Sequence, residues 1–185
     1  MLTNGLMSSN RQDWPTPLYL FQALDQEFHF TLDVCASEEN HKVSKYFDEE
    51  IDGLKQDWTK DISFMNPPYG KAIPKWVRKA KETASKGGVV VGLLPVRTDT
   101  KWWGDVMTAT ELRFIKGRIM FEGAEAYAPF PSVIVIWGTP RTPIIKMVDN
   151  SVLKSQYNTH QKGRGELSPS IVENRGELIG GTSHE

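Results

Sequence analysis

The sequence has one cysteine, Cys35, no long apolar run, no glycine-rich phosphate loop and no histidine cluster. A lone thiol cannot close an internal disulfide. A helix that crosses a bilayer needs about 20 apolar residues, and the first residues lack a basic stretch followed by an apolar core, so neither a membrane span nor a signal peptide is expected. A cytoplasmic protein without membrane contact is the expectation. His29, His41, His160 and His184 are scattered without metal-ligand spacing, so no metal is expected either. The missing phosphate cradle argues against nucleotide phosphates as the bound group, and a cofactor with a positive centre fits better. Finally, 22 basic against 23 acidic residues leave a net charge of −1, so any contact with nucleic acid must come from a local basic face.

What is present fits one α/β domain: 185 residues, 39% hydrophobic and 24% charged. Residues 1–11 are polar and aperiodic and read as a flexible leader. Thr16 and Pro17 are placed to cap and open a helix reaching about Phe28, with Leu18, Phe21, Leu24 and Phe28 inward. Residues 30–34 read as a buried strand and residues 43–47 as a brief second one, followed by the acids Asp48, Glu49, Glu50 and Asp52. Most of these acids belong to a solvated loop, although one acid after a second strand commonly binds ribose hydroxyls. A strand over 62–65 comes next, then an amphipathic helix over 74–86 with a solvated basic face. The all-apolar stretch 89–94 is a central parallel strand. Residues 112–115 form another strand, 117–121 a hairpin arm, and 132–137 the last strand. From about Asp149 the composition turns to Ser, Asn, Gly and Glu, which reads as a disordered tail.

The chemistry gathers at Asn66-Pro67-Pro68-Tyr69. Proline lacks an N–H and disfavours helix in the residue before it, so the strand stops at Asn66 in a rigid extended turn. Asn66 then offers an amide oxygen, Pro67 a carbonyl, and Tyr69 a flat ring. Two acceptors aimed at the exocyclic amine of adenine would free its delocalised lone pair, while Tyr69 stacks on the base. The bland alternative is an ordinary turn between a strand and a helix. In an open parallel sheet, ligands lie beyond the C-terminal strand ends, which makes Asp33 a cofactor candidate. Trp14, beside two prolines, either plugs the core or lines a ligand pocket. Arg97, Lys101, Arg113, Lys116 and Arg118 could hold phosphates of duplex DNA while a base is rotated out.

Taken in order, Trp14-Pro-Thr-Pro17, Leu32-Asp-Val-Cys-Ala36, Asp57-Trp58, Asn66-Pro-Pro-Tyr-Gly70, Arg97-Thr-Asp-Thr-Lys-Trp102, Gly117-Arg118 and Ala128-Pro-Phe-Pro-Ser132 resemble the phage-type, Dam-like DNA N6-adenine methyltransferases. The resemblance covers about residues 11–138. It implies a class I, Rossmann-like methyltransferase sheet, mainly parallel with a final antiparallel strand, within a domain over residues 12–148. It also implies S-adenosylmethionine as donor and double-stranded DNA as acceptor. Asn66, Pro67, Pro68 and Tyr69 match the family's catalytic motif. Residues from Asp33 through Cys35 to Ala36 match the strand end where the donor's methionine part lies, Thr16 and Pro17 match a segment that also touches the donor, and Asp57 matches the acid near the donor's adenine. Where many methyltransferases carry a Phe-x-Gly-x-Gly turn, this chain has Asp-Val-Cys-Ala-Ser. Only residues 95–131 remain for target recognition. Two other activities suit the same motifs: methylation of a protein glutamine, whose amide Asn-Pro-Pro-Tyr can also grip, and DNA binding without catalysis.

Overall fold

A computed structural model describes residues 14–139 and 143–165; the expected leader and the end of the expected tail, 166–185, lie outside the described residues. In chain order the elements are α1 (Leu18–Phe28), β1 (Leu32–Asp33), β2 (Ile62–Met65), α2 (Ile73–Ser85), β3 (Val89–Pro95), α3 (Trp103–Val106), β4 (Glu111–Lys116), β5 (Ser132–Trp137), β6 (Ile144–Asp149) and α4 (Asn150–Gly165). The strands form one sheet in the order β1-β2-β3-β5-β4-β6. β1, β2 and β3 are parallel, β5 runs antiparallel to both its neighbours β3 and β4, and β6 is parallel to β4. The C-terminal ends of β1, β2, β3 and β4 therefore share one edge of the sheet. Asp33, Asn66, Val96 and Gly117 stand at or just beyond those ends.

Side-chain alternation explains the two layers of helix. Phe64 points to α1, where Phe21 meets it edge-on at 5.2 Å between ring centres. Its neighbour Met65 points the opposite way, against Gly92 and Trp137, and a Cβ on Gly92 would lie only 2.8 Å from the Met65 methyl. A strand covered on both faces has no solvated face to carry polar side chains, which is why β3 reads as an unbroken apolar run. In α1 the buried residues are Leu20, Phe21, Leu24 and Phe28, while Leu18, expected inside, is 43% exposed. The helix begins at Leu18 itself, which turns that side chain outward before the apolar stripe settles on the sheet.

Four expectations change. The second strand over 43–47 shrinks to one bridge between Asp33 and Tyr46, because the chain turns away after Phe47. Residues 117–121 form no strand. The antiparallel strand, β5, is not final, since β6 pairs beside β4. And the region expected to be disordered from Asp149 begins with α4, which packs on α1. Asn150 explains that docking: it is 5% exposed, accepts from the Tyr19 hydroxyl at 2.8 Å and donates to the Arg118 carbonyl at 3.2 Å.

Candidate active site

β2 delivers Asn66 to the shared edge, and its side chain is held from two directions. Asn66 Nδ2 donates to the Trp14 carbonyl at 2.6 Å and to the Thr16 hydroxyl at 2.8 Å. Asn66 Oδ1 is buried and meets no hydrogen-bond donor among the described residues. A buried carbonyl-type oxygen without a donor costs about 1–3 kcal/mol, so this acceptor is held in wait. The Pro67 carbonyl beside it likewise takes no hydrogen bond among the described residues. Two unsatisfied acceptors at one strand end are what an amine with two hydrogens requires.

Next to them lies β1. Asp33 is 3% exposed and forms no ion pair among the described residues; it accepts from the Lys42 backbone N–H at 3.1 Å and from the Cys35 N–H. Burial dominates these bonds and pushes its carboxyl up from 3.8 to about 6. Cys35 links the two strand ends, because its sulfur receives the Asn66 backbone N–H, and burial together with the neighbouring Asp33 drives its thiol well above the usual range. Gly53 packs onto the same end, where a Cβ would stand 2.1 Å from the Val34 carbonyl oxygen, so only glycine fits.

A cage of rings closes over this edge. Trp14 packs on Phe121 and Phe130 with ring centres at 5.3 and 5.2 Å, and Tyr69 meets Phe130 and Phe121 at 5.5 and 6.2 Å. Tyr69, expected to show a free face, is 7% exposed and donates its hydroxyl to the Leu93 carbonyl at 3.1 Å. Both phenylalanines come from the β4–β5 connection, residues 117–131, which folds back onto the edge and is tied there by the Glu122 N–H to the Pro15 carbonyl and by a Lys42–Glu122 ion pair at 2.8 Å. Phe121, Phe130, Lys42 and Glu122 were not among the residues expected from sequence. One signal was available: like Trp14 and Tyr69, Phe130 adjoins proline, and rings next to a stiff backbone make a stiff pocket.

The other expected residues divide. Trp14 is half-buried and is both pocket rim and hydrogen-bond acceptor. Thr16 does not cap α1: Pro17 is the cap residue, extended at φ −60°, ψ 138°, and no side chain serves the helix start. Ala36 lies at the edge with its N–H on the Phe47 carbonyl, which brings Asp48 close to β1. Asp57 is not gathered here. It sits on an exposed turn before the opposite end of β2, its carboxylate held below the usual range by the Thr59 N–H and hydroxyl. Arg97, Lys101, Lys116 and Arg118 are exposed and follow or end strands at the site edge. Arg113 is not available to phosphate: its side chain is 10% exposed, forks onto Glu27 at 2.6 Å twice and bonds Glu111 at 2.9 Å. It lies mid-strand on the face covered by α1, where an unpaired guanidinium would be too costly, so two carboxylates answer it. Among the described residues no three His, Cys, Asp or Glu stand as a metal cluster, and no helix is long and apolar enough to cross a membrane.

A mainly parallel sheet with one antiparallel strand set inside it, and an Asn-Pro-Pro-Tyr turn at the strand ends, defines a class I methyltransferase fold. The model of the DNA N-6-adenine-methyltransferase (Dam) family matches residues 4–164, and the chain belongs to that family. It is a methyltransferase. It is 34% identical over 125 residues to the DNA N-6-adenine-methyltransferase of Haemophilus phage HP1, an alignment spanning 65% of this chain and 72% of the relative. To the protein of the same description from Escherichia phage T1 it is 31% identical over 109 residues, 57% of this chain and 45% of that one. A solved structure titled as a predicted O-methyltransferase of Agrobacterium tumefaciens matches 48% of this chain and 39% of its own at 21% identity, with a TM-score of 0.27 too low to weigh.

Proposed function

We propose that the protein methylates the N6 amine of adenine in double-stranded DNA, in the cytoplasm of a bacterial host, using S-adenosylmethionine. The observation that carries this reading is the pair of acceptors, Asn66 Oδ1 and the Pro67 carbonyl, that meet no donor among the described residues, beside the buried Asp33 carboxylate, which forms no ion pair among them. The donor supplies a methyl group on a positively charged sulfur. Asp33 suits such a ligand: a cation near it offsets the cost of its burial, Cys35 and Ala36 would line the same strand end, and Asp48 would accept from a ribose hydroxyl. As the amine attacks, its two hydrogens would bond to Asn66 Oδ1 and the Pro67 carbonyl and the nitrogen becomes tetrahedral; the C–N bond forms as the methyl–sulfur bond breaks, its electron pair leaving sulfur as a neutral thioether, and a proton is then lost from the nitrogen to solvent. Catalysis here is positioning and hydrogen bonding, with no strong base.

The base has to reach Asn66 by leaving the duplex stack, which costs a few kcal/mol. It also has to pass the Phe121–Phe130 cage, so residues 117–131 move when DNA binds, and Tyr69 then exchanges phenylalanine contacts for the adenine face. Arg97, Lys101, Lys116 and Arg118 hold the phosphates meanwhile, and residues 95–131 choose the target. The test is transfer of labelled methyl from the donor to unmethylated duplex DNA, followed by digestion to nucleosides. Label in N6-methyl-2′-deoxyadenosine is the expected result; label in protein glutamine, or none in either, would overturn the reading.

A further inference from the structure

We propose that Thr16 is a positioning residue for Asn66: with the Trp14 carbonyl, its hydroxyl takes both amide hydrogens of Asn66 and leaves Oδ1 as the atom that faces the reacting amine. This rests on the reading of Asn66 as amine acceptor. A primary amide has an acceptor end and a donor end that exchange places on a half-turn of its last torsion, and only one orientation is productive. The Trp14 carbonyl, 2.6 Å from Nδ2, decides between them, because a carbonyl can only accept and the flipped amide would set two oxygens face to face. Thr16 completes the clamp at 2.8 Å, and at 2% exposure no water can take its place.

The cost appears one residue along the chain. Thr16 has the side chain a helix start wants, yet α1 starts with Pro17 as cap and no side-chain bond, because the threonine hydroxyl is turned to Asn66. The clamp also ties the segment before α1 to the end of β2, 50 residues apart in sequence, so the catalytic amide is fixed by an element outside its own strand.

Thr16→Val keeps the shape and removes the acceptor, and Thr16→Ser keeps the acceptor. The valine variant should lower kcat about 10- to 100-fold, as a misplaced catalytic group does, with donor Kd by calorimetry and KM for DNA within about twofold. The serine variant should restore most of the loss. In an Asn66→Ala background, Thr16→Val should change the rate by less than about twofold, since its effect runs through Asn66. In the unmodified protein the two Asn66 side-chain amide protons should appear as separate, slowly exchanging resonances by NMR, which reads the clamp even if a variant folds poorly. Thr16→Val with full kcat beside an inactive Asn66→Ala, weakened donor binding with kcat unchanged at saturating donor, or freely exchanging Asn66 amide protons would overturn the proposal. An active Asn66→Ala would instead remove the reading beneath it.

Discussion

Asp33 shows how a single residue can be set against the stability of its own chain. Its carboxyl, raised from 3.8 to about 6 by burial, holds its proton more tightly folded than unfolded. The sign follows: the folded state is favoured fully below pH 4 and loses that advantage as the pH rises through 6, leaving a penalty of roughly 3 kcal/mol at pH 7.5 by the usual 1.36 kcal/mol per pH unit. Asp33→Asn should therefore raise stability at pH 7.5, bring little gain at pH 3.5, and weaken S-adenosylmethionine binding. Urea unfolding at the two pH values and calorimetry with the donor check this; a variant less stable at pH 7.5 would mean that the carboxylate is already satisfied. Asp33 was legible in sequence as an acid at a strand end. The clamp on Asn66 was not, because Thr16 beside Pro17 reads as a helix cap, and only the fold reveals that its hydroxyl has been claimed elsewhere.

Among the elements, the connection between β4 and β5 departs most from expectation. Residues 117–121 end in the apolar run Ile119-Met120-Phe121, and sequence alone makes them a hairpin arm; instead Ile119 and Phe121 sink into the core, and among the described residues the segment is held by scattered bonds, from the Ala128 N–H to the Ile119 carbonyl at 2.8 Å, the Ala124 N–H to the Phe121 carbonyl at 3.1 Å and Asn150 to the Arg118 carbonyl at 3.2 Å. A connection held by so few backbone bonds should open more readily than the sheet beneath it. The Glu122 and Ala128 amides are expected to exchange with solvent well before those of Val91 and Val135, and to slow when DNA and donor are both bound. Hydrogen exchange that is as slow there as in β3 and β5 would contradict the movement required for base entry. β3 was readable because burial on both faces leaves only apolar residues, as in Val89–Pro95. β6 and α4 were not, since the exposed residues of β6 show no buried face and α4 gains its hold from packing on α1 through Asn150 and Tyr19.

Over the whole molecule, a net charge of −1 is reconciled with a DNA substrate by where the charges lie. Arg97, Lys101, Lys116 and Arg118 stand at the site edge, whereas Arg113 is committed to Glu27 and Glu111, and Lys146 bonds Glu111 as well at 2.8 Å. Burial works against the ionised Glu111, but these bonds prevail and hold it at about 2. Removing Arg97 should flatten the dependence of DNA affinity on salt by about one unit of slope. Arg113→Ala should leave that slope alone and cost about 1–3 kcal/mol of stability, because it removes the charge-assisted bonds to Glu27 and Glu111 while Lys146 still bonds Glu111. Salt titrations of binding, paired with unfolding curves, separate the two roles; a changed slope with unchanged stability in Arg113→Ala would reverse them. In composition the five cations look alike, and only the alternation of β4 against α1 sets one apart.

Asn66 stands where these scales meet, and its replacement is the most direct measurement. With unmethylated DNA and saturating donor, Asn66→Ala should lower kcat by about 100-fold or more while donor Kd stays within a few-fold, because the lost hydrogen bond matters chiefly as the amine becomes tetrahedral. A folded Asn66→Ala protein that keeps most of the kcat of the unmodified chain would contradict the assignment of Asn66 as the acceptor that drives methyl transfer.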